Sequence, residues 1–134
     1  MSKLNKFLSY YLPPLAMAVL IFTFSSIPGK DYPEMALGGH DYSNITNSIA
    51  HIIEYALFGF LTLRAFDRAK SSRWFKLSLC LALLLLFAWS DEYHQSFVPG
   101  REVSLEDWLM DIVGILTGLG LYLKRENWPL SRKK

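Results

Sequence analysis

Cys80-Leu-Ala-Leu-Leu-Leu-Leu-Phe-Ala-Trp89 decides the fold. A helix on the surface of a water-soluble bundle shows a polar face with a period of 3.6 residues, and this run has none. It belongs in a bilayer. Outward from it, three more apolar segments appear, and the spans are placed at about 8–24, 45–65, 74–89 and 105–123. The reading predicts an all-α fold, an integral membrane four-helix bundle with both termini cytoplasmic, as one domain over 1–134. Crossing the hydrocarbon takes about 20 residues, so the first and third spans reach that length only by including polar flanks. Pro13-Pro14 are placed in the first turns of span one, where proline is tolerated.

The composition agrees: of 134 residues 51% are hydrophobic and 19% charged, with mean hydropathy +0.19. The net charge of +2 is small and spread along the chain, which argues against nucleic acid as a partner. Within that small sum the signs are segregated. Lys3, Lys6, Arg64, Arg68, Lys70, Arg73, Lys76, Lys124, Arg125, Arg132, Lys133 and Lys134 fall on one side of the spans, leaving Lys30 and Arg101 on the other. Only Asp67 and Glu126 among the acidic residues share the basic side. By the positive-inside rule that side is cytoplasmic, and an even number of spans returns both ends to it. The first span exits into Phe24-Ser-Ser-Ile-Pro-Gly29, which offers no small-x-small cleavage site, so it reads as a retained span. Cys80 has no partner for an intrachain disulfide and reads as packing. Tyr10, Tyr11, Trp74, Trp89, Trp108 and Trp128 read first as interfacial anchors, and the chain after Leu123 as a basic, partly disordered tail.

The polar residues concentrate in the outer half. On span two His51, Glu54 and Tyr55 stand at i, i+3 and i+4 and share a helix face. A carboxylate there is costly to insert and should face the bundle interior or a wet cavity. His51 and Glu54 read either as a site or as a polar clamp, with His51 pairing to Glu54 or to a neighbouring helix. Span three ends in Ser90-Asp-Glu-Tyr-His-Gln-Ser96, where Asp91 faces with His94, Glu92 with Gln95 and Ser90 with His94. Ser96-Phe-Val-Pro-Gly100 turns back with apolar residues, so this loop is expected to fold onto the bundle, with Pro99-Gly100 as a tight turn. Span four opens Ser104-Leu-Glu-Asp-Trp-Leu-Met-Asp111. Ser104 and Asp107 resemble a capping box, an alternative to a site role for Asp107. Asp107, Asp111, Gly114 and Gly118 form one stripe, and Gly114-x-x-x-Gly118 allows close helix approach in a membrane.

Glu54, Asp91, Glu92, Asp107 and Asp111 together face one fixed cation, Arg101, with His51 and His94 able to add protons. Ionised together in a poorly hydrated pocket they are not sustainable. Some stay protonated, some face solvent, or a cation sits among them. Asp91, His94, Asp107 and Asp111 are the candidate metal ligands for a divalent ion, Mg²⁺ or Ca²⁺ by oxygen ligation, Zn²⁺ or Mn²⁺ if histidine takes part. Pairing of Arg101 with Asp91 or Asp107 is the competing expectation.

Phe24-Ser-Ser-Ile-Pro-Gly29, His51-x-x-Glu54-Tyr55-Ala-Leu-Phe-Gly59 and Ser90-Asp-Glu-Tyr-His-Gln-Ser-Phe-Val-Pro-Gly-Arg101, followed by Asp107-Trp108 and Asp111, resemble the VanZ-like family. The resemblance runs from Phe24 to about Gly118, and the third block is its most specific part. Some members carry a lysine three positions before the histidine, where this chain has Ser48. The resemblance implies a small multi-span protein of the bacterial inner membrane. The family's name comes from a component associated with low-level resistance to the glycopeptide antibiotic teicoplanin.

Two functions follow. In the first, an outer pocket binds membrane lipid or a lipid-linked cell-wall precursor of the envelope. In the second, a membrane-embedded hydrolase or transferase acts on a lipid-linked or phosphate-bearing substrate. Its candidate catalytic groups are His51, Glu54, Asp91, His94 and Asp111, with Arg101, Tyr55, Gln95, Glu92 and Ser26 as candidate substrate contacts. No H-E-x-x-H or G-x-S-x-G motif is present. Four short spans without a repeat speak against a transporter unless the protein oligomerises.

Overall fold

The computed structural model describes residues 2–28, 36–37, 40–41, 43–101 and 103–125. Lys30, Gly38, Gly39 and the basic tail with Trp128 lie outside them. Four helices dominate: α1 Lys3–Ser25, α2 Ser43–Phe66, α3 Arg73–Gln95 and α4 Leu105–Arg125. Between α1 and α2 a minimal antiparallel pair joins β1, Ala36–Leu37, to β2, His40–Asp41, a detail outside the sequence reading.

α1, α3 and α4 each start where a hydroxyl caps them. Ser2 accepts from the Asn5 amide, Ser72 from Phe75 and Ser104 from Asp107. The Ser2 cap overturns one expectation. Because α1 begins at Lys3, Pro13 and Pro14 lie in its interior rather than its first turns. The polar start Lys3-Leu-Asn-Lys6 is itself helical, and the prolines remove two amide donors in mid-helix. Membrane helices tolerate such breaks. The third helix is also longer than expected, running six residues past Trp89 to Gln95.

α1, α2 and α3 are long and apolar enough to cross a membrane. α4 is not among them and is placed in the bilayer by its packing. Asn47 meets Asp107 and His51 meets Asp111, both pairs 60 residues apart in sequence, and further along Phe60 meets Tyr122. An offset that stays nearly the same along both helices means that α2 and α4 run parallel, side by side, so a bilayer crossed by α2 is crossed by α4. Parallel neighbours also require the intervening α3 to return the chain to the starting side. The charges of α4 sit mainly at its ends, Glu106 and Asp107 in the first turn and Lys124 and Arg125 in the last.

Glycines bring these two helices together. A Cβ on Gly114 would stand 2.6 Å from the Ile52 carbonyl oxygen, one on Gly118 would overlap the Ala56 carbonyl, and one on Gly59 would stand 3.0 Å from the Ile115 carbonyl. The stripe from Asp111 through Gly114 to Gly118 is buried, as its spacing predicts. α3 turns a single stripe inward, from Lys76 through Cys80, Leu84 and Ala88 to Glu92, and leaves Leu79, Leu83, Leu86 and Trp89 exposed. Among its described side chains α1 buries only Met17, Ile21 and Ser25, spaced by four. Its exposed face carries Leu8, Leu12, Leu15, Val19 and Phe22. Apolar surface on this scale is untenable in water and ordinary in lipid.

Candidate functional site

Polar side chains gather at the end of the bundle where α1 and α3 finish and α2 and α4 begin, here called the carboxylate end. Their innermost layer is a hydrogen-bonded floor. His51 Nδ1 lies 2.7 Å from Asp111 Oδ1, with side-chain exposures of 7% and 0%. Four residues on, Tyr55 is wholly buried, and its hydroxyl reaches Asp91 Oδ2 at 3.4 Å. The same oxygen takes Ser25 Oγ at 2.7 Å and Gln95 Nε2 at 3.3 Å. Tyr55 therefore stands between Asp91 of α3 and Asp111 of α4, with Glu92 also within electrostatic reach.

The loop from α3 to α4 folds back on this floor, as its apolar residues predict. Gly100 has φ 76°, the left-handed conformation that favours glycine after Pro99. Val98 is buried, and the Arg101 amide closes the turn on the Val98 carbonyl. Arg101 Nη2 then donates to Gln95 Oε1 at 3.0 Å. The expected partner is thus corrected: among the described residues Arg101 forms no ion pair with Asp91 or Asp107 and reaches Asp91 through Gln95. The turn sets the guanidinium beside the end of α3, where an amide acceptor comes first.

The capping reading of Ser104 holds, with a change of partner. Ser104 Oγ accepts from the Asp107 amide, as a cap should. The reciprocal acceptor is Glu92 of α3, whose Oε2 takes the Ser104 amide at 3.0 Å. Asp107 is thereby released to accept from Asn47 at 3.2 Å on each oxygen. His94 Nε2 lies 3.0 Å from Ser26 Oγ, and its ring stacks on Phe22 at 4.2 Å.

The five carboxylates sort by depth. Asp91, Glu92 and Asp111 are buried, at 2%, 3% and 0% exposure. Glu54 and Asp107 are half-buried, and Glu54 lies within electrostatic reach of His51, Asp91 and Arg101. Each buried carboxylate keeps one oxygen without a hydrogen-bond partner: Asp91 Oδ1, Glu92 Oε1 and Asp111 Oδ2. Trp108 Nε1 is in the same condition.

The candidate metal ligands do not converge. Asp91 turns to Ser25 and Gln95, His94 to Ser26, Asp107 to Asn47 and Asp111 to His51. Among the described residues no group of three His, Cys, Asp or Glu side chains is arranged to hold a metal ion. Sequence reasoning passed over Ser25 and Asn47. Ser25 stands one helical turn after Ile21 on the buried face of α1, and Asn47 one turn before His51, the periodicity that would have found both.

Polar contacts around Asp67 tie the opposite, basic end. Lys76 Nζ donates to Asp67 Oδ1 at 2.9 Å, and Tyr122 donates to Asp67 Oδ2 at 3.2 Å.

The family model described as VanZ/LLP1 matches residues 10–126, and the chain belongs to the VanZ-like family. No curated relative and no solved structure is similar enough to match. Family and helices together make this a small membrane protein.

Proposed function

We propose that this member of the VanZ-like family binds the polar head of a lipid-linked cell-envelope intermediate at its carboxylate end, in the outer leaflet. Both termini lie in the cytoplasm in this reading, which rests on the segregation of Lys and Arg. One observation carries the binding role. A buried, hydrogen-bonded layer of His51, Tyr55, Asp91, Gln95 and Asp111 lies among half-buried Glu54, His94 and Arg101. A layer of this kind holds the groups around it in place, and rigid placement is what recognition of a polar head needs. Arg101 supplies the planar donor fork suited to phosphate or carboxylate. Occupancy of the head would alter access to the envelope precursor, and lowered susceptibility to teicoplanin would be its outward effect.

A second reading is favoured by the three unpartnered carboxylate oxygens. Buried polar atoms normally find partners, and ionisable groups within membrane spans mark functional sites by default. In this reading His51 and Asp111 act as an acid/base pair on a lipid-linked or phosphate-bearing substrate.

The test is purification in discs of native membrane, with the lipids held in the disc identified by mass spectrometry. Enrichment of a lipid-linked intermediate over bulk membrane supports binding. A lipid profile equal to bulk overturns it. Incubation of the captured lipid with the protein separates the two readings, since turnover assigns an enzyme and an unchanged lipid assigns a binding protein. Expression in a glycopeptide-sensitive host tests the teicoplanin effect, and unchanged susceptibility removes that part alone.

A further inference from the structure

A different site is carried by the basic end. Tyr10 of α1 is half-buried against α2. Over its ring stand two guanidinium groups, Arg64 at 4.7 Å and Arg68 at 4.6 Å from the centroid. Arg64 stands in the last turn of α2 and Arg68 two residues past its end, so one aromatic ring gathers two like charges. Each gains cation–π attraction from the ring, yet neither forms an ion pair with a carboxylate among the described residues. The carboxylate nearest in sequence, Asp67, is already engaged on both oxygens, by Lys76 and by Tyr122. Lys6 precedes Tyr10 by one turn of α1 and adds a third cation on the same helix face. The arrangement sits at the basic end of the bundle, beside the last turn of α2.

We propose that Tyr10, Arg64 and Arg68 form a headgroup site for an anionic phospholipid of the leaflet at the basic end. The phosphodiester lies against the paired guanidinium groups, which offer bidentate donors to its oxygens. The acyl chains run along the exposed apolar face of α1, past Leu12, Leu15 and Val19. The tyrosine ring keeps both arginines from extending separately into water and so shapes the site for one headgroup.

The experiment uses the full chain in detergent, measuring lipid retained by native mass spectrometry and the melting temperature on adding phosphatidylglycerol or phosphatidylcholine. Wild type should hold phosphatidylglycerol about tenfold more tightly than phosphatidylcholine, a difference of about 1.4 kcal/mol. In Arg64→Lys/Arg68→Lys the charge is kept and the planar fork is lost, and most of this preference should go. Tyr10→Leu, which removes the ring and leaves both arginines, should reduce it too and serves if the double variant folds poorly. Melting in phosphatidylcholine alone reports folding for each. An unchanged preference in both variants would overturn the site in favour of diffuse attraction between the basic end and any anionic surface. Competition by soluble glycerol phosphate at concentrations equal to the lipid would assign the phosphate to a free ligand and overturn the lipid.

Discussion

His51 Nδ1 and Asp111 Oδ1 meet at 2.7 Å across the seam between α2 and α4, one turn before Gly114 brings the two backbones together. The pair is thus built into the close-packed seam between these two helices. A shift of either helix that parted the glycine contact would also part the histidine from the carboxylate.

Gly114→Leu and Gly118→Leu should each unfold the bundle at markedly lower temperature, since their side chains would enter the Ile52 and Ala56 backbone of α2. Overpacking of a core commonly costs about 1–3 kcal/mol, and a clash with backbone lies at or above that range. Gly120→Leu is the control, because nothing lies within 4 Å of the Cβ it would add. Melting in detergent checks the series, and equal stability of all three variants would contradict the close crossing.

Clamp and site make different forecasts for His51 and Asp111. Removing one partner, as in His51→Leu or Asp111→Leu, should destabilise by about 3–5 kcal/mol because a buried polar group loses its counterpart. The double variant should recover much of that loss, since an apolar pair packs in place of a polar one. If recovery of stability brings back lipid capture, the pair is a clamp. Stability without capture assigns it to the site.

The part of the architecture that depends on periodicity and charge was legible in the sequence. The run from Cys80 to Trp89 required lipid, and the stripe from Asp111 to Gly118 required an inward face. What stayed hidden was the choice among equivalent partners. Spacing along one helix places Glu92 beside Gln95 but cannot say that Glu92 completes the cap of α4 at Ser104. The same holds for Lys76, which reads as one of the basic residues around the second connection and donates to Asp67, as Tyr122 also does. Such pairings depend on how far each helix is rotated about its axis, and many small packing contacts set that rotation. The start of α1 differs for a local reason: Ser2 caps a helix that begins before the apolar stretch.

Orientation is tested by labelling single cysteines from outside the cell, in a Cys80→Ala background. Phe97, exposed in the loop after α3, should be labelled as Phe97→Cys. Ser71, exposed at the basic end, should stay untouched as Ser71→Cys until the membrane is permeabilised. Val98 is unsuitable because it is buried. The opposite labelling pattern would reverse the assigned topology and move the carboxylate end to the cytoplasm.

Arg101 gives the sharpest test of the proposed binding role. Its guanidinium is placed by two features: the left-handed Gly100 that turns the chain, and the Gln95 oxygen that accepts from Nη2. Arg101→Ala should therefore abolish enrichment of the envelope lipid while leaving the Asp91–Ser25 and Asp91–Gln95 contacts, and hence melting, nearly intact. Arg101→Lys should rescue poorly, since an ammonium is a point donor without a planar fork. Gln95→Met separates aim from charge. It keeps Arg101 but removes the acceptor, and should lower enrichment less than Arg101→Ala while costing stability through the loss of the Asp91 contact. If Arg101→Lys retains full enrichment, recognition needs only a positive charge, and the argument from bidentate geometry fails.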